Sequence, residues 1–377
     1  LEGRRADAVG CGPEARVPRL CLNMIVKNES AIIERCLASM APYIDAYCIC
    51  DTGSTDDTPE RIERFFRERG VPGLVPRTTF RTFEQARNEA LNAALNSALD
   101  FDYLIFADAD FELVAEDPGF KRGIHAAAHS MLIKHHSGSL EYPLLRVARR
   151  DTPLRFVGVT HEYPDVGQTP RPLLSGAYFR DNATGSSRVE KYERDIRLLA
   201  EALAANPGDA RSAFYLGNSY FDIGRYEEAI AAYAKRIALG GWAEEIFYAM
   251  YRTGQCYQGL GREGEMFRQL LATFDAFPHR AEPLHVLALH EQRAGRHRAA
   301  YLFARQGSEI PKPVEGLFVQ ADVYTWRLRD IMGVSLYYMG RSEDSRRCSE
   351  AALAVAPESE HERIRKNIRW AMGVEKP

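Results

Sequence analysis

The sequence lacks several features that define common functional classes. No apolar run approaches the roughly 18 residues that a membrane-spanning helix needs, so we expect none. Neither sign of charge dominates, because 49 Lys and Arg face 52 Asp and Glu, and this removes the simplest electrostatic case for a nucleic-acid binder. The G-x-x-x-x-G-K-[ST] loop and the G-x-S-x-G elbow are both absent, which argues against P-loop and serine-elbow chemistry.

The sequence also has no C-x-x-C pair, although it contains seven cysteines. Five of them fall in the first fifty residues, and Cys48 and Cys50 lie in an apolar strand pattern. Reduced thiols explain this distribution better than a disulfide framework does. The first residues lack an apolar core like that of a signal peptide. We therefore expect a cytoplasmic protein, and 377 residues at 45% hydrophobic content predict about two domains with sizeable cores.

The organisation of the chain changes near residue 185. Before that point, short strand patterns alternate with amphipathic segments; the strand patterns cover residues 19–26, 46–50, 73–77 and 103–107. Such alternation predicts a parallel α/β sheet with its ligand site at the carboxyl ends of the strands. After that point only helical patterns occur. The predicted organisation is an N-terminal tail over 1–17, an α/β domain over 18–183 and an all-α domain over 184–377.

The helical part contains a repeated pattern of small and aromatic residues. In residues 210–237 these occupy the packing positions of a tetratricopeptide repeat; they are Leu216, Gly217, Tyr220, Gly224, Tyr226, Ala229 and Tyr233. Turn glycines at 224, 261, 295 and 340 are spaced by 37, 34 and 45 residues, against an ideal of about 34. Four stacked units are therefore predicted, with an insertion around 311–321, and an unrelated helical bundle is the alternative.

Asp108-Ala-Asp110 follows the apolar strand pattern at 103–107. Residues two apart on an extended chain point the same way, so both carboxylates are expected on one side. Paired carboxylates form a hard-oxygen site for Mn²⁺ or Mg²⁺, which can hold a diphosphate. Solvated loop acids are the alternative interpretation of the same residues.

Four segments in a fixed order resemble family 2 glycosyltransferases, whose fold is called GT-A. They are Met24–Glu29 (MIVKNE), Asp51–Asp56 (DTGSTD), Ala86–Asn88 (ARN) and Asp108–Asp110 (DAD), and the resemblance covers about residues 18–165. It implies a GT-A domain in front of the tetratricopeptide-like repeats, with a nucleotide-sugar donor bound at the strand ends.

The resemblance also implies roles for particular residues. Asp51 would bind the nucleotide base, and because a carboxylate can accept the ring N–H of uracil, a UDP-sugar is expected. Asn28 and Glu29 would lie beside the base or ribose, with a helix cap as the alternative. Arg87 would face the nucleotide rather than be a surface arginine. Asp108 would contact the donor as well as the cation.

The segment Phe156–Glu162 (FVGVTHE) supplies the remaining candidate chemistry. Inverting members of the family need a carboxylate that takes the acceptor's proton, and His161-Glu162 resembles the branch in which a strand ends in G-x-x-H-E before a helical domain. Glu162 is the candidate general base. His161 is expected to complete the metal shell with Asp108 and Asp110, or to orient the diphosphate. The more usual pair is Glu-Asp, and a buried His beside a surface Glu is the alternative.

These expectations describe a metal-dependent, inverting glycosyltransferase that uses Mn²⁺ or Mg²⁺. The layout is similar to bacterial peptide S-glycosyltransferases of the sublancin type and to lipopolysaccharide-core transferases. A peptide or protein acceptor and a glycan acceptor both stay open, as does a homodimer formed through the repeats. The alternative is an interaction scaffold with an inactive front domain; a nucleotidyltransferase would need a Gly-rich turn after the first strand, which is missing.

Overall fold

The computed structural model describes residues 16–124, 128–137, 140–182, 188–313 and 316–375, with only the backbone described at 140–141 and 188–190. The chain divides into two compact units, Leu1–Arg188 and Val189–Pro377. The predicted boundary between residues 183 and 184 falls outside the described residues, so it stays a prediction. Among the helices that the structure describes, none is long and apolar enough to cross a membrane.

The first unit is built on a mixed β-sheet. Its described strands are β1 (Leu20–Val26), β2 (Ala46–Asp51), β3 (Gly73–Leu74), β4 (Tyr103–Phe106), β5 (Phe111–Ala115), β6 (Ser130–Ser137), β7 (Leu140–Arg149), β8 (Arg155–Val157), β9 (Tyr163–Asp165) and β10 (Leu173–Asp181). Its α-helices are α1 (Ile33–Met40), α2 (Thr58–Arg67) and α3 (Phe83–Leu95). Eight strands form one sheet in the order β3-β2-β1-β4-β7-β6-β10-β5, and β8 and β9 form a separate hairpin.

The predicted parallel sheet is found in one half of this sheet only. Strands β3, β2, β1 and β4 are all parallel. Beyond β4 the sheet continues with antiparallel pairs β4/β7, β7/β6 and β10/β5 and one parallel pair, β6/β10. The expectation of a parallel sheet is therefore wrong for the second half, where antiparallel pairs predominate.

Both faces of the parallel half are covered, which explains why β1 is apolar at nearly every position. Alternate residues of β1 enter opposite cores. Leu22 packs in the core that includes α1 and α2, whereas Cys21 packs in the core that includes α3. All the cysteines that the structure describes are free thiols; they are Cys21, Cys36, Cys48, Cys50, Cys256 and Cys348.

The second unit consists of helices. They are α4 (Arg188–Ala205), α5 (Ala210–Asp222), α6 (Tyr226–Ala238), α7 (Ala243–Gly259), α8 (Glu263–Ala276), α9 (Glu282–Arg293), α10 (His297–Ser308), α11 (Leu328–Tyr338), α12 (Ser342–Leu353) and α13 (Glu358–Ala371), with a π-helical turn at Val323–Arg327 before α11. In the described part of this unit, α5 to α12 form four successive helix pairs. The prediction of four tetratricopeptide-like units is thereby confirmed.

Glycines serve the repeats in the two ways that the sequence predicted. Gly224, Gly261, Gly295 and Gly340 have φ between 70° and 77°, the left-handed conformation that ends one helix before its partner begins. Gly217 instead allows close approach, because a Cβ there would lie 2.5 Å from the ring of Tyr233. Gly254 has the same relation to Leu270 in the next pair.

Candidate functional site

The loops that follow β1 and β2 are joined to each other by Asn28. Its φ of 56° is left-handed, a conformation that asparagine tolerates better than most residues. Its Oδ1 accepts a hydrogen bond from the Thr55 backbone N–H at 2.7 Å, and its own N–H donates to Ser54 Oγ at 3.0 Å. Next in the chain, the Glu29 N–H donates to Thr58 Oγ1 at 2.8 Å. Thr58, the first residue of α2, therefore fixes the position of the Glu29 backbone.

Asp51 ends β2 and is buried. Its Oδ1 accepts the Ser54 backbone N–H at 3.0 Å, and this hydrogen bond closes the turn at the start of the segment 51–56. On the other side, the Thr78 N–H donates to the Asp51 carbonyl at 2.9 Å. The carboxylate is thus held at the carboxyl edge of the sheet by its own turn. Its contact with a nucleotide base stays a prediction.

Asp108-Ala-Asp110 forms a turn between β4 and β5 rather than extended chain. The Phe111 N–H donates to the Asp108 carbonyl at 3.1 Å. The expected alignment of the two carboxylates by extended chain is therefore wrong. At Asp110 the backbone carbonyl accepts the Asn182 backbone N–H at 3.3 Å, so the end of β10 supports the turn.

Two arginines hold the carboxylate of Asp108, whose side chain is 33% exposed. Arg87 on α3 donates to Oδ1, and Arg146 Nη2 on β7 lies 3.3 Å from Oδ2. Burial alone would raise the pKa of Asp108, but the two guanidinium groups outweigh it and lower that pKa to about 2. Asp108 is therefore an anion over the whole physiological range.

Negative charge accumulates between the loop after β1 and this turn. Burial, reinforced by Asp110, Asp56 and Asp108, raises the pKa of Glu29 to about 7. Among the described residues, no group of three or more His, Cys, Asp or Glu side chains is arranged to hold a metal ion. Mg²⁺ typically binds through one or two carboxylates together with substrate phosphates and water. Asp108 and Asp110 are the two carboxylates that such a cation would use, and metal binding by them stays a prediction.

Arg87 connects the turn after β4 to the candidate base. Its side chain is only 4% exposed, and its Nε donates to Glu162 Oε1 at 3.0 Å while its Nη2 donates to Asp108. Burial would lower the pKa of Arg87, but the two carboxylates raise it well above its usual range. The buried guanidinium therefore carries a fixed positive charge between two acids that are 54 positions apart in the sequence.

The neighbouring residues of α3 fix the hairpin that carries Glu162. The Asn88 side chain donates to the Phe156 carbonyl at 2.9 Å and accepts the Phe156 N–H at 2.8 Å. One turn earlier, Glu84 accepts the Gly158 N–H at 2.9 Å. Helix α3 begins where Thr82 caps it, with Thr82 Oγ1 accepting the Gln85 N–H. The motif Ala86–Asn88 thus supplies one side chain for the Glu162 carboxylate and one for the hairpin backbone.

His161 and Glu162 lie in the turn of the β8–β9 hairpin, not at the end of a strand that leads into the helical domain. The preceding Gly158 has a φ of 110°, and His161 is itself left-handed with a φ of 50°. His161 is exposed, whereas the Glu162 side chain is 14% exposed. The structure brings Glu162 to Arg87 and Asp108. The metal role of His161 stays a prediction.

Sequence patterns did not identify Arg146 and His135 as members of this site. They lie on β7 and β6, outside the four motifs in the sequence, and an isolated Arg or His on a strand carries no spacing by which to recognise it. The alternation of His135 and His136 does predict that one of them faces inward, and His135 is the fully buried one.

Each of the two units matches a family model. The family model Glycosyl transferase family 2 matches residues 21–117, a range that contains five of the predicted donor residues and ends before His161 and Glu162. The family model Tetratricopeptide repeat matches residues 211–235.

Relatives with curated descriptions match part of the chain. The SPbeta prophage-derived glycosyltransferase SunS of Bacillus subtilis is 25% identical over 233 residues, which are 58% of this chain and 53% of SunS. A TPR repeat-containing protein of Synechococcus elongatus is 32% identical over 224 residues, 54% of this chain and 52% of that protein. The chain therefore spans about half the length of the curated relatives it matches.

Solved structures add no further argument. The match to a crystal structure of MamA covers 47% of this chain and 93% of the MamA chain, with 19% identity and a TM-score of 0.37. The assignment rests instead on the sheet order, the four helix pairs and the two family models. Residues 21–117 thus form part of a GT-A-like domain and match the family 2 glycosyl transferase model, and tetratricopeptide-type helical repeats follow this domain.

Proposed function

We propose that this protein is an inverting glycosyltransferase that moves a sugar from a nucleotide-diphosphate donor, a UDP-sugar, to a peptide, protein or glycan acceptor. The observation that carries the proposal is the buried contact of Arg87 with both Asp108 and Glu162. It joins the turn expected to face the donor to the carboxylate expected to face the acceptor. The similarity to SunS, which is described as a glycosyltransferase, supports the same activity.

In a single displacement, the acceptor attacks C1 of the sugar, its proton passes to a base, and the nucleoside diphosphate leaves. Glu162 is the proposed base. Arg87 contacts its Oε1, and among the described residues no partner is seen for Oε2, which is available to take the acceptor's proton. Arg87 keeps the carboxylate in one orientation, and orientation of a catalytic group is itself a large part of its effect.

The donor is proposed to lie along the carboxyl edge of β1, β2 and β4. Asp51 would accept the uracil N–H, and Asn28 and Glu29 would flank the base or ribose. The buried Arg87 would act on the donor indirectly, by holding the Asp108 carboxylate. Asp110, together with Asp108 and His161, would hold Mn²⁺ or Mg²⁺, which when bound neutralises charge on the leaving diphosphate. The helical repeats are proposed to contact the acceptor.

Hydrolysis of nucleotide sugars by the purified chain tests this proposal. We expect release of UDP from at least one UDP-sugar, activated by Mn²⁺ and suppressed by EDTA. Asp110→Asn should abolish the release. Asp100→Asn should leave it unchanged, because Asp100 is an exposed acid that pairs with Arg19 away from the strand-end loops.

Two results would oppose the proposal. Undiminished release in EDTA would remove the metal claim. No release from any nucleotide sugar, under conditions in which the protein is folded, would favour a scaffold whose repeats bind a partner.

A further inference from the structure

Arg146 occupies an unusual position in the sheet. In the antiparallel pair β6/β7, Met131 is opposite Val147 and Leu132 is opposite Leu145, so Arg146 is the extra residue of a β-bulge. A bulge redirects the side chain of its extra residue, and bulges are common beside active sites. Here the Arg146 side chain, 14% exposed, reaches Asp108 with Nη2 3.3 Å from Oδ2.

A second contact fixes the same guanidinium. Arg146 Nε donates to Nε2 of His135 at 3.2 Å. His135 is fully buried on β6, and burial, with Arg146 adding to it, lowers its pKa to about 3. A neutral imidazole can accept this hydrogen bond, whereas an imidazolium could not. His135 therefore leaves Arg146 one orientation, with Nη2 directed at Asp108.

The two arginines hold different oxygens of one carboxylate. Arg87 takes Oδ1 from α3, and Arg146 takes Oδ2 from the opposite half of the sheet. Held from both sides, the Asp108 side chain cannot rotate, and the turn 108–110 keeps one geometry relative to the strand-end loops. One arginine would fix the position of one oxygen; the second fixes the plane of the carboxylate.

We propose that Arg146, directed by the β-bulge and held by His135, is a positioning residue of the donor site, and that binding of a nucleoside diphosphate with its divalent cation depends on it. This inference rests on the proposed function. The competing explanation is packing, because the His135 ring lies against the rings of Phe111, Tyr142 and Phe179, and Arg146 lies over Phe111.

A pair of substitutions at His135 separates the two explanations. His135→Gln retains an acceptor for Arg146 Nε but places an amide among aromatic rings. His135→Leu is apolar and suits those rings but removes the acceptor. If His135 acts through Arg146, Gln should be the better replacement; if it only packs, Leu should be.

The experiment is calorimetric titration of the full chain with UDP at saturating Mn²⁺. We expect His135→Gln to bind within about threefold of the unmodified chain, and His135→Leu and Arg146→Met to bind about tenfold or more weakly, as loss of a charge-assisted hydrogen bond predicts. Thermal unfolding of each variant checks that it is folded. If His135→Leu does not fold, Arg146→Met alone decides the matter.

Either of two outcomes would overturn this inference without affecting the proposed function. The first is that His135→Leu binds UDP as tightly as His135→Gln, or more tightly. The second is that Arg146→Met binds UDP as tightly as the unmodified chain. In both cases the unmodified chain still binds UDP, so the proposed function stands. If the unmodified chain itself binds no UDP with Mn²⁺, the proposed UDP donor site fails and the positioning role fails with it.

Discussion

The two units of this protein each contain a buried arginine paired with a glutamate, but the two pairs connect very different parts of the chain. In the helical unit, Arg236 is 1% exposed and pairs with Glu245, nine residues away, at 2.8 Å. Its other donors reach the carbonyls of Gly240 and Trp242. Gly240 and Trp242 lie in the connection between α6 and α7, and Glu245 lies in the first turn of α7, so this arginine fixes one turn.

Arg87 in the first unit connects segments that are distant in sequence. Its acidic partners are 21 and 75 residues away, in the turn after β4 and in the β8–β9 hairpin. One partner keeps a third of its side chain exposed, at the edge where the strand-end loops lie. Burial and ion pairing alone therefore do not indicate function. Arg87 differs from Arg236 in that its acidic partners come from two separate loops and one of them, Asp108, remains accessible to a ligand.

Removal of the charge of each glutamate should have the largest effect and should separate the two pairs. Glu162→Gln should lower kcat by about 100- to 10,000-fold, the usual contribution of a general base, while the melting temperature changes little. Glu245→Gln, the matched control, should lower the melting temperature of the helical unit and leave kcat unchanged below it. Initial rates and thermal unfolding of both variants measure this. Near-normal turnover of Glu162→Gln on a hydroxyl acceptor would remove Glu162 as the base.

Removal of the arginines should destabilise the helical unit more than the first unit, although the pair in the first unit matters more for activity. Arg236→Met leaves Glu245 buried without its main partner, which typically costs about 3–5 kcal/mol. Arg87→Met should cost less, because Asp108 retains Arg146 and is partly exposed to water. Urea unfolding of both variants checks the ranking. A larger loss for Arg87→Met than for Arg236→Met would show that Arg87 is chiefly structural.

Asn88 provides a smaller and more local test. Asn88→Leu removes both hydrogen bonds to the Phe156 backbone, which should cost about 1–3 kcal/mol for the unsatisfied groups and move the hairpin that carries Glu162. We expect kcat to fall about tenfold, because the hairpin carries the proposed base Glu162, with a smaller loss of affinity for UDP at saturating Mn²⁺, because the same hairpin carries the proposed metal ligand His161. A loss of UDP affinity without a loss of kcat would place the hairpin on the donor side instead.

The smallest expected effect concerns pH. The folded state raises the pKa of Glu29 from its ordinary 4.5 to about 7. A raised carboxyl pKa stabilises the fold while the group is protonated, and that stability is lost as the pH rises from about 4.5 through 7. In EDTA, the melting temperature of Glu29→Gln, relative to that of the unmodified chain, should therefore be a few degrees higher at pH 8 than at pH 5. A difference that is constant with pH would contradict the shift.

The sequence predicted well what is local and periodic. The strands β1, β2 and β4 and the four repeat units follow from patterns within about forty residues. The antiparallel strands β6, β7 and β10 pair over longer distances, and nothing in their composition specifies partners. For that reason the sequence does not identify Arg146 and His135, although it does identify Asp108, the carboxylate that Arg146 contacts.

Local geometry also accounts for the differences at Asp108–Asp110 and at His161-Glu162. Each was interpreted as the end of a strand, and each is a turn, because residues after a short strand bend as soon as the backbone finds an i to i+3 hydrogen bond or a left-handed residue. The residue types were informative where the backbone conformation was not. Whether those residues bind donor, metal and acceptor as proposed is decided by the experiments above.

The central claim is a single displacement with one base, and the anomer released on hydrolysis tests it directly. The α-linked UDP-sugar that the chain hydrolyses fastest would be followed by proton NMR before the free sugar equilibrates. We predict that the β anomer appears first, because water activated by Glu162 attacks C1 from the face opposite the diphosphate. First appearance of the α anomer would contradict the account.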